Sequence, residues 1–386
     1  MMRLRLAAPF AAATIALFAA SGALAAKEPA EPTAASANAG LQALRDYNLI
    51  TLKDLSSSQQ VQGRVFVGGN LGGGSSEVYS KPGAFAGSGK AGLTVVGDVT
   101  GAKNLANGSG AQVGGSVKGG LNLNSSNQKI DIAGSATNIN GSSGSAITVG
   151  GNVGNLNTNG GTLVLGGVKT GNINGKFSYA KDPLPTLSTD LQAQQATYVV
   201  ALKDLSGYLA GLDATNGFKT TSNSIVFDTG GAKGDLAVFD LDLTNTSVLQ
   251  NREIKFAFPT AFDTVVINVA GTDINFGANF NGPDGLGSKV IWNFYEATTL
   301  NFTNSFYGSV LAPNAAMSNS NFIQGSVAAS ALDQRGAIQM SNYTGKLAFA
   351  DLQNAVPEPA TWAMMILGFG GIDAVLRRRR KQLVPA

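Results

Sequence analysis

Asp273, Asn275, Asn279, Asn281 and Asp284 crowd a Gly-rich stretch and could together offer oxygens to Ca²⁺. Their spacing departs from a helix–loop–helix calcium loop, because Ala278 stands at the sixth position, where a sharp turn needs Gly. Repeat-type calcium binding needs a recurring Asp, which the Gly-rich repeats described below lack. No cofactor is therefore expected, with Ca²⁺ at this cluster as the alternative. Asp235, Asp240 and Asp242 read as solvated strand positions, with Asp240 and Asp242 on one face. A glycosidase needs only two carboxylates, but nothing singles out a pair. The chain has no Cys and no His. That removes thiolate nucleophiles, disulfides, Ser-His-Asp catalysis and most catalytic zinc sites. Gly68 to Gly74 resembles a phosphate loop only in its glycines; the following Lys-Ser/Thr and the helix are missing, so a turn is expected.

Those residues must be positioned by a repeat. A Gly-containing motif recurs as Val96-Gly97-Asp98-Val99, Val113-Gly114-Gly115-Ser116-Val117, Ile132-Ala133-Gly134-Ser135-Ala136, Val149-Gly150-Gly151-Asn152-Val153 and Leu165-Gly166-Gly167-Val168. Equivalent positions lie 17, 19, 17 and 16 residues apart. A second motif keeps step with it: Asn122-Leu123-Asn124, Asn138-Ile139-Asn140, Asn155-Leu156-Asn157 and Asn172-Ile173-Asn174. Short alternating segments that turn at Gly and Asn predict a mainly β chain wound as a β-solenoid. Leu123, Ile139, Leu156 and Ile173 are expected to stack inward, and their flanking Asn residues to face outward. The Asn rows have two readings. They are structural amide ladders, or they are a flat polar surface for ice, glycan or another protein.

Leu187, Leu191, Ala196, Val199, Val200, Leu202, Leu205, Leu209 and Leu212 recur mainly at three- and four-residue spacing. This predicts an amphipathic helix over about 187–213, capped by Thr186 or Ser188 and packed along the solenoid wall. β patterning resumes at Ser224. Gly308-Ser309-Val310 and Gly325-Ser326-Val327 again stand 17 apart. One discontinuous solenoid is expected over 40–351, with coils from both sides of the inserted helix.

The two ends read as addresses. Arg3 and Arg5, an apolar run from Leu6 to Ala20, and Ala23-Leu24-Ala25 predict a signal peptide over 1–25, removed by signal peptidase. Residues 26–39 read as a disordered spacer. At the other end, Pro357-Glu358-Pro359 precedes an apolar stretch over 360–376 and the basic cluster Arg377, Arg378, Arg379, Arg380 and Lys381. That stretch is expected to form a transmembrane helix with the cluster as its cytoplasmic stop, although Asp373 lies inside it. The two ends hold seven of the chain's 27 basic residues; without them 20 remain against 22 acidic ones. Nucleic-acid binding, which needs a clustered basic face, is not expected of such a body.

Motif, span and basic cluster over 356–381 resemble the PEP-CTERM sorting signal of Gram-negative bacteria. The resemblance implies an exosortase-type processing partner and brief anchoring in the inner membrane. Delivery to the cell surface or extracellular matrix, often beside exopolysaccharide production, would follow. Leu44-Arg45-Asp46-Tyr47-Asn48-Leu49-Ile50, Val61 to Asn70, Trp292-Asn293-Phe294, and Gly308 to Ala315 resemble the choice-of-anchor A domain. That family assigns no functional residues. The block Gly308-Ser309-Val310-Leu311-Ala312-Pro313-Asn314-Ala315 is also similar to the bacterial ice-binding solenoids, which combine a discontinuous β-helix with a long helix. The expected function is an exported, non-enzymatic surface protein that belongs to or binds the polysaccharide matrix. The alternatives are an ice-binding or adhesin solenoid and a carboxylate-dependent polysaccharide-cleaving enzyme.

Overall fold

The computed structural model describes residues 33–81, 89–229, 234–242, 250–257, 262–281 and 287–349. The expected signal peptide, the span over 360–376, the sorting motif and the basic cluster lie outside them. Among the described residues no helix is long and apolar enough to cross a membrane.

The chain is mainly β, with large parallel sheets and two helices. The repeat closes into coils because its strands are only two to four residues long and most are followed by a corner built on Gly or Asn. Asn107-Gly108 and Asn159-Gly160 each take two successive positive φ values, the turn that Asn-Gly pairs favour. The second glycine of each motif has a different reason. A Cβ at Gly115, Gly134, Gly151 or Gly167 would lie 2.6–2.8 Å from the backbone of the coil before it. Only glycine lets the corners stack.

On one side of the coils, Leu49–Thr51, Val65–Val67, Leu93–Val95, Ala111–Val113, Lys129–Ile132, Ala146–Val149, Thr162–Leu165 and Phe177–Tyr179 pair in parallel, in chain order. The other edge of Leu49–Thr51 pairs with Val327–Gln334, Leu49 opposite Val327. The sheet then continues through Ser309–Asn319, Val290–Asn293, Thr264–Ala270 and Leu236–Asp242. The winding therefore starts mid-stack and runs out to Tyr179. It resumes at the far end and closes on its own beginning.

Helix α2, Leu187–Ala210, carries the chain between the two ends. Leu191 lies over Gly114, Gln195 Nε2 donates to Leu52 O at 2.9 Å, and Asn268 Nδ2 donates to Leu209 O at 2.8 Å. Sequence periodicity placed this helix well; it ends three residues early, at Ala210, and its N-cap Thr186 makes no side-chain capping bond. A second helix, α1 (Ala34–Asp46), stands where part of the disordered spacer was expected. Thr33 Oγ1 caps it by accepting from Ser36 N at 3.1 Å. Ala37, Gly40, Leu41 and Leu44 form its buried face, and Gly40 lets it close on Ala201 and Leu205 of α2. This packing supplies the apolar burial that the 26–39 composition lacks.

Two cores result. Inside the coils lie Val65, Val67, Leu93, Val95 and their stacked equivalents. Between the sheet and the helices lie Ile50, Phe66, Val266, Ile291, Leu311 and Ala328, with Leu41, Leu44, Leu202 and Leu205. Coil girth sets the filling. Val310 and Val327 are partners 17 residues apart, whereas Val265 and Val290 are 25 apart. The wider coils are filled by Phe227, Phe239, Phe276, Trp292, Phe294, Phe302 and Phe306. The narrow ones use Val, Leu and Ile.

Candidate functional site

The amide rows lie on a second side of the coils, where Ser76–Val78, Lys103–Leu105, Leu121–Leu123, Ile139–Asn140, Leu156–Asn157 and Ile173–Asn174 pair in parallel. Register corrects the expected stack. Leu121, not Leu123, stands opposite Ile139, followed by Leu156 and Ile173. The alternating Leu121-Asn122-Leu123-Asn124 satisfies either register, and the positive φ of Gly120 fixes the corner that selects one. Asn122, Asn140, Asn157 and Asn174 therefore share an outward row that begins at Asn104. Asn138, Asn155 and Asn172 fall in the row beside it, at the corner before each strand. Asn124 joins neither row; its backbone N–H bonds Leu105 O.

Asn104 Nδ2 donates to Ser75 Oγ at 3.3 Å, Asn122 Nδ2 to Asn104 Oδ1 at 2.9 Å, and Asn140 Nδ2 to Asn122 Oδ1 at 2.7 Å. Asn157 turns its Oδ1 to Asn159 N at 3.1 Å. An amide has two N–H groups and two acceptor lone pairs. Each rung spends one of each, so outward-facing donors and acceptors repeat at the strand spacing of about 4.8 Å.

A second ladder escaped the sequence reading. Asn70 N donates to Asp54 Oδ1 (2.7 Å), Asp98 N to Asn70 Oδ1 (2.9 Å), and Ser116 N to Asp98 Oδ1 (2.7 Å). Ser135 N then donates to Ser116 Oγ (3.1 Å), Asn152 N to Ser135 Oγ (3.0 Å), and Val168 N to Asn152 Oδ1 (3.0 Å). Its signal was present: the residue after the last Gly of each motif is Asp, Asn or Ser until Val168. The Lys118 ammonium, 2.6 Å from Asp98, and the Ser116 N–H hold the Asp98 carboxyl below its ordinary pKa.

The expected calcium residues do not converge. Asp273, Asn275, Asn279 and Asn281 all face outward along the single strand Asp273–Asn281, which spans about 26 Å. Asp284 lies outside the described residues. Their partners are neighbouring rungs: Asn301 Nδ2 donates to Asn275 Oδ1 (3.0 Å), Asn304 Nδ2 to Asn279 Oδ1 (3.1 Å), and Asn281 Nδ2 to Glu253 Oε1 (3.0 Å). Ser318 Oγ extends the row by donating to Asn301 Oδ1 at 2.7 Å. This is a second flat polar wall, on the wide coils. Asp240 serves a structural network, accepting from Asn268 Nδ2 at 3.1 Å. In that network Asn293 bonds Asn268 and Ser206 and fastens α2 to the sheet.

Lys103 behaves differently from the wall residues around it. It is fully buried, and its Nζ donates to Gly74 O at 2.6 Å and Ser57 O at 3.1 Å. Burial without a facing carboxylate bond pulls its pKa from 10.5 down to about 8. Between those values Lys103 binds more protons in the unfolded chain than in the folded one, so its own contribution to stability rises with pH, while the buried Tyr47 and Tyr343, held above their ordinary pKa of 10.0, oppose it at the upper end. Thermal melts compared between the unmodified protein and Lys103→Met above pH 8 are expected to show the rise in the former and not in the latter. An equal rise in the variant would assign it to other groups.

Coils, stacked walls and external helices mark a repetitive surface-presenting protein. The chain belongs to the family described as "Putative Ice-binding-like adhesive domain", whose model matches residues 40–140 and 117–340. Residues 355–381 match the PEP-CTERM protein-sorting motif, a substrate signal for exosortase processing. No curated protein and no solved structure matches the chain. A domain of this family joined to this sorting signal supports an exported surface protein.

Proposed function

We propose that this protein is a non-enzymatic β-solenoid adhesin of the choice-of-anchor A type, held in the extracellular polysaccharide matrix of a Gram-negative cell. In this reading a signal peptide directs export, the tail anchors the precursor briefly in the inner membrane, and an exosortase-type enzyme releases the body. The wall built on Asn104, Asn122 and Asn140 then meets the polymer. The observation that carries the reading is the in-register amide row, whose spare donors and acceptors repeat along a rigid wall as hydroxyls repeat along a glycan. Co-sedimentation with the producer's own exopolysaccharide tests it. The body is expected to co-sediment, and joint replacement of Asn104, Asn122 and Asn140 by Ala to remove most of the bound fraction while the fold persists. A wild-type body that stays in the supernatant would eliminate matrix binding.

A second reading is favoured by the wide-coil wall. Asn275, Asn301, Ser318 and Asp333 form one in-register row of short side chains, and Asp273, Thr299, Ala316 and Ala331 form another. A flat array of this kind suits ice. Thermal hysteresis from the purified body would support that reading, and none at high protein concentration would dismiss it.

A further inference from the structure

The two ends of the coil stack are built differently. At the wide end, Phe218–Thr220 folds back antiparallel on Ser224–Asp228, and Phe218 packs on Phe227 with ring centroids 6.0 Å apart. Ile225, Phe227, Phe239 and Leu241 beneath are fully buried. Among the described residues the narrow end has no such cover. Among the described residues, the pairing of Phe177–Tyr179 with Thr162–Leu165 leaves its outer edge without a strand. Phe177 stands opposite Leu163 and Tyr179 opposite Leu165, so both continue the inward rows of the core. Yet Phe177 is 38 % exposed and Tyr179 63 %, against 1 % and 0 % for the leucines they follow. Val168, where the corner ladder ends, is 59 % exposed. Terminal repeats ordinarily carry a polar outer face. Short strands and flanking lysines are the usual protection of an edge, and Lys176 and Lys181 are here. A protected edge would not, however, place two aromatics in its core rows.

We propose that this open end is the interface of a two-fold symmetric dimer, closed by the same end of a second copy. The last described residue before the tail, Phe349, packs on Tyr208 in the C-terminal half of α2, away from the narrow end. The edge is complementary to itself. Ala180 N donates inward to Leu165 O at 3.0 Å, so by alternation Phe177 and Tyr179 turn their amide and carbonyl groups to the free side. Antiparallel pairing about Ser178 makes Phe177 and Tyr179 of opposite copies a hydrogen-bonded pair, twice over. The same register sets aromatic against aromatic, Lys176 against Ala180 and Lys181 against Gly175. No lysine directly faces another, and both open cores are covered. Closed two-fold pairing is also the commonest form of self-association.

Ser178 would lie on the dyad as a non-hydrogen-bonded pair, where opposing Cα atoms approach within disulfide range. The chain has no Cys, so Ser178→Cys reports on this contact alone. Under mild oxidation Ser178→Cys is expected to give a disulfide-linked dimer, while Thr220→Cys at the capped end stays monomeric. Sedimentation of the unmodified body at micromolar concentration should show a dimer, which Tyr179→Lys weakens by at least an order of magnitude. Monomers at every concentration, with Ser178→Cys cross-linking no faster than Thr220→Cys, would overturn the proposal. So would a dimer that survives Tyr179→Lys. If the body stays monomeric and Tyr179→Lys instead abolishes exopolysaccharide retention, the end belongs to a glycan and the proposal fails.

Discussion

Asn48→Ala is expected to destabilise the body by on the order of 3 kcal/mol or more, because this one side chain ties the start of the winding to its close. Asn48 is fully buried. Its Nδ2 donates to Gly325 O at 2.8 Å and to Gln339 O at 3.2 Å, and its Oδ1 accepts from Gly63 N at 3.0 Å. Truncation leaves two buried backbone groups, Gly325 O and Gly63 N, without that partner and weakens the half-buried Gln339 O, across segments 277 and 291 residues apart in sequence. Asn48→Asp should be no better, since it keeps the acceptor, loses both donors and buries a charge. Thermal and denaturant unfolding measure this directly. A loss below about 1 kcal/mol would mean that the seam rests on strand pairing and apolar contacts alone.

Replacing Pro357, Glu358 and Pro359 together by Ala is expected to trap the protein in the membrane fraction. In the proposed processing these three residues, within the sorting motif over 355–381, are the recognition element, and they stand immediately before the apolar stretch and the basic cluster. Without recognition, the cluster Arg377 to Lys381 still resists transfer across the membrane, so the precursor stops there. Fractionation of the native host, followed by immunoblotting, reads the outcome. Normal surface release of the variant would mean that some other segment directs processing.

What the sequence made legible is what depends on local period. Strand-and-corner spacing of 16 to 19 residues, the periodic apolar face of α2, and the resumption at Gly308 and Gly325 all rest on neighbours along the chain. Register did not, because Leu121 and Leu123 are chemically identical candidates separated by a single alternation. Helix α1 was hidden since its Ala-rich face gains its burial only from α2, far along the sequence. The corner ladder went unread because Asp, Asn and Ser differ as letters yet do the same work of accepting one backbone N–H. The calcium alternative drew on density along the chain, and residues dense in sequence are spread out by the extended strand Asp273–Asn281. The seam at Asn48 and the open end at Tyr179 exist only once the winding order is known, and no local pattern announces either.

In the proposed processing the body reaches the cell surface after losing its sorting tail. Intact-mass measurement of protein extracted from the surface of the native host tests this most directly. The account predicts a chain beginning near Ala26 and ending near Pro357 to Pro359, with the Arg377 to Lys381 cluster gone and a slightly negative net charge. A surface protein whose mass still includes Arg377 to Ala386 would contradict it and leave a plain tail anchor in its place.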